Sequence, residues 1–282
     1  MQGLAMTIKE LLKDKMIKIE LKYVPSSFDI IGSKEKAVAI IELDENIKKR
    51  SRIIANAVMK QHKNVRSVLL KASPRTGILR TREYKLIAGN KNTEVIHIEN
   101  GCRLLLDPRK VYFSPRESTE RQRIINKVKE DEHVVVFFAG IGPFVVEIAK
   151  KSKALKVVGI EINPIAAEYF RKNVELNKLH NVEVAEGNVL EHAQHYHGFA
   201  DRTLMPLPEK SIYYLEEAVK CTVPGGIVHF YCFAKENEIA GIKRKISAVA
   251  KSLDRKAKFI EVQHVLPYGP GVWKCRIDLE VS

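Results

Sequence analysis

The chain has 282 residues, 45% hydrophobic and 29% charged, which suits a globular protein of one or two domains and excludes a disordered or fibrous one. Its longest apolar stretch, Val134 to Ala149, contains two glycines, a proline and Glu147 and falls short of the roughly 20 residues a bilayer requires, so it is a core segment. The net charge of +14 is lopsided: residues 1–130 hold 28 Lys/Arg against 15 Asp/Glu (+13), residues 131–282 hold 20 against 19 (+1), and that concentration points to an acidic partner, most simply nucleic acid.

In chain order, Thr7 to Lys15 reads as a short helix. Phe28 to Ile31 and Ala37 to Leu43 read as a hairpin around a polar loop, and Glu45 to Gln61 as a helix with Ile47, Ile53, Ile54 and Val58 on one stripe. Ser67 to Lys71 is a predicted strand. Glu94 to Ile98 and Cys102 to Leu106 flank Asn100-Gly101, a strong two-residue turn signal. Residues 1–112 therefore form a small basic α+β domain. A helix over Glu117 to Lys127 leads into residues 113–282. There, strands near 134–138, 156–161, 182–185, 202–205 and 226–232 alternate with helices at 143–151, 164–177, 209–220 and 236–252. Such alternation builds a parallel sheet covered on both faces. Phe259 to Val265 and Val272 to Val281 close it as an antiparallel hairpin around Pro267-Tyr268-Gly269-Pro270-Gly271.

One unit in this series carries chemistry. The apolar run from Val134 breaks at Ala139-Gly140-Ile141-Gly142-Pro143, a helix follows, and the next strand ends in Glu161. Glycines let backbone N–H groups approach a ligand at a helix start, and a carboxylate about 20 residues on takes the hydroxyls of a ribose. Val145 stands where a dinucleotide motif wants its third glycine, and no Gly-Lys-Ser/Thr follows. Pro143 removes an N–H that a pyrophosphate would use, whereas S-adenosylmethionine (SAM) carries no phosphate. The expected fold is thus α/β: a Rossmann-like class I SAM-dependent methyltransferase domain preceded by a small α+β RNA-binding domain.

Cys102, Cys221, Cys232 and Cys275 are far apart and form no Cys-x-x-Cys pair, so a reducing compartment without structural zinc is expected. His192, His195 and His197 lack a companion set of ligands, and no metal site is assigned to them. No secretory signal is evident; the expected location is the cytoplasm and the expected state a monomer.

Several segments resemble the tRNA (guanine-37-N1)-methyltransferase family of archaea and eukaryotes: Arg80 to Glu83, His97 to Gly101, Val111 to Arg116, Glu120-Arg121, Phe138 to Pro143, Glu161 to Pro164, Asn173 to Asn177 and Pro224 to His229. Val111-Tyr112-Phe113-Ser114-Pro115-Arg116 is the most specific of them. The resemblance implies SAM-dependent methylation of N1 of guanosine 37, in the anticodon loop of tRNA, without a metal. It makes Arg80 the donor to guanine O6 and Glu120 the general base. It places Tyr112, Phe138, Gly140, Gly142, Glu161, Asn188, Pro206 and Pro208 around SAM and the target base, and offers Arg82, Lys110, Arg116, Arg121 and Arg123 to the RNA.

The reaction itself calls for such groups, because N1 of guanine must lose a proton and negative charge then gathers on O6. The chain departs from the family pattern at Val136 and Asn188, where acids are usual, and at Pro206, where Asn is usual. The extra N-terminal domain of many archaeal relatives has no room in this sequence. Two alternatives follow: methylation of a tricyclic wyosine-pathway guanosine at the same position, alone or as a second activity, and a tRNA-binding protein with a degenerate cofactor pocket. A sister reaction, transfer of the aminocarboxypropyl arm of SAM, shares the fold.

Overall fold

The computed structural model describes residues 6–73, 77 and 82–282. The chain divides into two compact units, Met1–Pro115 and Arg116–Ser282.

In the first unit, α1 (Ile8–Leu12) starts at a capping box in which the Thr7 hydroxyl accepts from Glu10 N–H and the Glu10 carboxylate from Thr7 N–H. Strands β1 (Asp29–Gly32) and β2 (Ala37–Ile41) pair antiparallel. The chain then crosses through α2 (Ser51–Gln61) to β3 (Val65–Lys71), which lies parallel to β2. β4 (Tyr84–Gly89) closes a four-stranded sheet in the order β1-β2-β3-β4. Leu12, Ile47, Ile54, Val58 and Val68 fill its core. β5 (Val95–Glu99) and β6 (Cys102–Leu106) form a hairpin whose turn puts Asn100 and Gly101 at positive φ, as a two-residue turn requires.

Two features of this unit differ from the sequence reading. Glu45–Arg50 is a tighter 3-10 turn, started by Asp44 accepting from Asn46 N–H, and the α-helix begins only at Ser51. β4 was not expected. It is a half-exposed edge strand, so its side chains carry no clean apolar alternation.

The second unit runs α3 (Ser118–Ile125), β7 (His133–Phe137), α4 (Pro143–Lys151), β8 (Lys156–Glu161), α5 (Pro164–Leu176), β9 (Val182–Glu186), α6 (Val189–His192), β10 (Ala200–Met205), α7 (Leu215–Cys221), β11 (Thr222–Ala234), α8 (Ile239–Ser252), β12 (Ala257–Gly269) and β13 (Val272–Val281). The seven strands are ordered β12-β13-β11-β10-β7-β8-β9. β7 to β11 are mutually parallel, and β13 is inserted antiparallel between β11 and β12. From β7 the chain steps outward to β8 and β9, then returns to the other side of β7 for β10 and β11. Such a reversal opens a crevice beyond the carboxyl ends of the strands, the usual ligand position in this architecture. Val135, Phe137, Val158, Ile160, Leu215 and Ile277 form part of its core.

Candidate cofactor and active site

The two-glycine turn is built as the sequence suggested, and more groups hold it than the sequence singled out. Gly142 caps α4 in the left-handed conformation (φ 81°), with Pro143 at the first helical position. A Cβ on Gly142 would lie 2.1 Å from the Phe170 ring, so glycine is demanded there by packing as well as by φ. Gly140 also has positive φ, and a side-chain position there meets nothing within 4 Å, which leaves its backbone approachable. Asn173, fully buried, donates from its side-chain amide to the Ile141 carbonyl (3.0 Å) and pins the turn from α5. Phe138, just before the turn, takes φ 56°, a strained value for a bulky residue, and packs edge-on against Tyr214 at 4.8 Å.

Glu161 ends β8 facing this turn. Its Oε2 accepts from Gly140 N–H at 2.6 Å and its Oε1 from Asn163 N–H at 2.8 Å. Asn163 in turn caps α5, accepting from Ile165 and Ala166 N–H. Burial pushes the Glu161 carboxyl above its usual range, against the opposing pull of the Asn163, Gly140 and Ile162 N–H groups. Each oxygen of an ionised carboxylate accepts about two hydrogen bonds, so acceptor capacity remains for a ribose hydroxyl.

The expected cofactor residues after β9 and β10 lie on neighbouring loops of the same edge. Asn188 is half-buried and accepts from Leu190 N–H at 3.1 Å as the cap of α6. After β10, the carbonyl of Met205 is turned back into its own loop, accepting from Leu207 N–H (2.9 Å) and the Ser211 hydroxyl (3.0 Å). Pro206 is half-buried and Pro208 buried within this turn. Ser211 also donates its hydroxyl to the Leu207 carbonyl. The predicted helix over 209–220 therefore opens as a 3-10 turn, and α7 proper begins at Leu215. Tyr112 is half-buried near the end of the first unit.

Glu120 sits inside a buried charge network that the sequence did not reveal. It is 1% exposed; its Oε1 accepts from the Tyr231 hydroxyl (2.8 Å) and from Arg276, and its Oε2 lies 3.4 Å from Arg123. Arg276 also reaches Asp278 (2.7 Å) and Glu261 (2.9 Å). Asp278 accepts from His229 Nδ1 (2.6 Å), Arg202 approaches His229 Nε2 (2.7 Å), and Arg202 grips both oxygens of Glu132 at 2.8 Å. Burial pushes the His229 imidazole down to about 4, and a neutral ring donating to Asp278 while accepting from Arg202 fits that geometry. His229 and Arg276 hold the Asp278 carboxyl well below its usual range despite its burial.

The residues offered to RNA separate. Lys110 and Arg116 are exposed, and the Arg123 side chain is 39% exposed. Arg82 is half-buried, and its Nε finds no hydrogen-bond partner among the described residues. Arg121 does not belong with them. It is 2% exposed and faces Glu147 of α4 at 3.1 Å, an interior ion pair that joins α3 to α4 and withholds the guanidinium from a phosphate. Arg80 lies outside the described residues. Among the described residues no group of three or more His, Cys, Asp and Glu is gathered for a metal, and no helix is long and apolar enough to cross a membrane.

Comparison with known proteins gives these loops a family. Residues 95–260 match the TRM5/TYW2 methyltransferase domain, and residues 8–93 match the TYW2 N-terminal domain. The chain belongs to the TRM5/TYW2 methyltransferase family. It is 39% identical over 262 residues to the tRNA (guanine(37)-N(1))-methyltransferase Trm5b of Pyrococcus abyssi, across 93% of this chain and 76% of that protein. It is 30% identical to the tRNA (guanine(37)-N(1))/4-demethylwyosine(37)-methyltransferase Taw22 of Nanoarchaeum equitans (90% and 99%). It is 28% identical to the tRNA(Phe) (4-demethylwyosine(37)-C(7)) aminocarboxypropyltransferase of Pyrococcus horikoshii (99% and 98%).

Among solved structures, Trm5b of P. abyssi superposes with TM-score 0.85 at 40% identity, over 95% of this chain and 78% of that one. A complex of aTrm5 with tRNALeu gives 0.83 at 28% identity, over 99% and 79%. TYW2 of M. jannaschii in complex with AdoMet gives 0.72 at 26% identity, over 91% and 99%.

The family's cofactor is SAM, and the residues present fit it. Glu161 offers a buried carboxylate with unused acceptor capacity at the end of β8, and Gly140 offers open backbone beside it. Nothing in the turn is specialised for a phosphate: the helix opens on Pro143, which has no N–H.

Proposed function

We propose that the protein transfers a methyl group from SAM to N1 of guanosine 37 of tRNA. One observation carries this reading: the 39% identity to a guanine-37-N1 enzyme runs over 93% of the chain, in company with an intact Gly140–Gly142 turn closed on Glu161. Bound SAM supplies an electrophilic methyl group. Glu161 holds the ribose hydroxyls, the Gly140–Gly142 backbone and Asn188 border the adenosyl part, and Phe138 and the Pro206–Pro208 turn bound the target base.

Glu120 accepts the N1 proton. Its Oε1 is committed to Tyr231 and Arg276, whereas its Oε2 has only the long contact to Arg123, so Oε2 is the oxygen that takes the proton. Because the carboxylate is buried, the Arg123 side chain must give way as the base enters. Arg80 donates to O6 as charge gathers there. The tRNA is held electrostatically by the basic N-terminal unit, Arg82 and Lys110 among its cations, and by Arg116 and Arg123.

A second reading has two specific observations in its favour. Residues 8–93 match the N-terminal domain of TYW2, and Pro206 replaces the usual Asn with a side chain that has no polar group and no N–H. A pocket bounded by that apolar wall also suits the tricyclic wyosine precursor, as a second methylation at the same position. The retained Glu161 clamp argues against a degenerate, cofactor-free protein.

Nucleoside mass spectrometry after incubation with SAM tests both. Unmodified tRNA is expected to yield 1-methylguanosine at position 37, and tRNA carrying the tricyclic precursor reports the second activity. Absence of a methylated guanosine from unmodified tRNA would overturn the main reading.

A further inference from the structure

The Glu120 network does not end at Tyr231. Along β11, Tyr231 and Phe233 are two residues apart, so they share a face of the sheet, about 7 Å along the strand. It is the face on which α3 packs, because Tyr231 bonds Glu120, and Lys274, opposite Phe233 in register, bonds Glu117 at 2.8 Å. Phe233 lies one residue before the carboxyl end of β11, the edge where the glycine turn, Glu161 and the Pro206 turn also lie.

On Phe233 rests Tyr268, from the end of β12, its ring stacked at 3.8 Å between centroids and 26° between planes. Tyr268 is 65% exposed. One face of this ring is thus fixed by Phe233, while most of the residue stands open to solvent. The core has no use for it: Tyr268 belongs to a Pro-Tyr-Gly-Pro-Gly hairpin end, where a polar residue would satisfy the turn equally well.

We propose that Tyr268, backed by Phe233, is the stacking seat for the base of a nucleotide flanking the target guanosine. The proposal rests on tRNA as the substrate. Three features select a nucleobase as the occupant. An aromatic ring held on one side and open on the other matches the π-face common to all bases and costs little ordering on binding. Phe233, on which the ring rests, stands on β11, two strand spacings or roughly 10 Å from β7, so the seat is within reach of a neighbour on the same RNA strand. Arg123 of α3, and Arg116 in the 3-10 turn just before that helix, are the cations offered to the phosphates that such a nucleotide brings. With the flanking base seated there, the target base is drawn out of the loop stack toward Glu120.

The test measures binding of the full-length protein to unmodified tRNA without SAM. Tyr268→Ala is expected to weaken affinity about 5- to 150-fold, the range for loss of one base–aromatic stack, while Tyr268→Phe and Tyr268→Trp stay near wild type. Tyr268→Leu preserves an apolar contact with Phe233 and should fail as Ala does, which covers the case of an Ala variant that folds poorly. SAM affinity should be the same for every variant. Removing the base of the responsible neighbour of guanosine 37 should weaken wild type by a similar factor and add nothing to Tyr268→Leu. Equal tRNA affinity for wild type and Tyr268→Leu would overturn the proposal, as would full additivity with every abasic position. Failure of the wild type to methylate guanosine 37 would instead count against the proposed reaction and leave these binding ratios interpretable.

Discussion

Replacing Glu161 by glutamine separates the cofactor clamp from the stability of the turn that carries it. The two carboxylate oxygens accept from Gly140 N–H at 2.6 Å and Asn163 N–H at 2.8 Å. Glutamine has one acceptor oxygen, so its amide must face one of these two donors. That loses a charge-assisted hydrogen bond of about 1.5–3 kcal/mol and weakens what remains for ribose hydroxyls. Glu161→Gln should therefore weaken SAM binding roughly 10- to 150-fold. Thermal stability without SAM should fall much less, because burial already penalises the ionised carboxylate and glutamine removes that charge.

The sign of the pH dependence follows from the same burial. A carboxyl raised above its ordinary value favours the protonated folded state, so its contribution to stability is complete below 4.5 and is lost as pH rises through the higher folded value. Ribose donors favour the ionised form, so SAM affinity should climb with pH across that same window, and binding there should release a proton. Titration calorimetry in buffers of different ionisation enthalpy reads both quantities. Unchanged SAM affinity in Glu161→Gln, or an affinity flat in pH for the wild type, would refute the assignment.

Three further outcomes are expected. Arg276→Ala should destabilise the fold by about 3–5 kcal/mol, because it strands Glu120 and Asp278 in the interior, and chemical denaturation should show it. Glu120→Gln should slow single-turnover methylation by about 10²–10⁴ with SAM affinity intact; a near-normal rate would require another base. Affinity for tRNA should fall about 10³-fold or more between roughly 50 and 200 mM salt if six or more phosphates are contacted, and a shallow dependence would remove the electrostatic role of the basic N-terminal residues.

The layout of the second unit was legible because each strand of its parallel sheet is a compact apolar run and the glycine turn has its own spacing to Glu161. What escaped was set by partners far apart in sequence. Lys274, Arg276 and Asp278 alternate along β13 in a pattern that ordinarily marks a solvated strand face. They are buried because α3 lays Glu117 and Glu120 over them, and no local pattern announces that match. Arg121 misled for the same reason. A cation in a cluster of arginines reads as an RNA contact, yet its nearest acid is Glu147 on the next helix. Gly142 was singled out by the motif, whereas its need for Phe170 and Asn173 arises on α5, and only the packed turn shows it. The unexpected β4 is an edge strand, where half-exposure erases the apolar signal that identified its neighbours.

The relatives of this chain move either the methyl group or the aminocarboxypropyl arm of SAM, so the decisive measurement follows each part of the cofactor separately. Unmodified tRNA is incubated with the protein and SAM isotopically labelled either in the methyl group or in the aminocarboxypropyl arm, and label is traced to the nucleoside at position 37. Methyl transfer to N1 predicts label in 1-methylguanosine from the first SAM and none from the second. Label entering tRNA from the aminocarboxypropyl arm, or from neither, would contradict it.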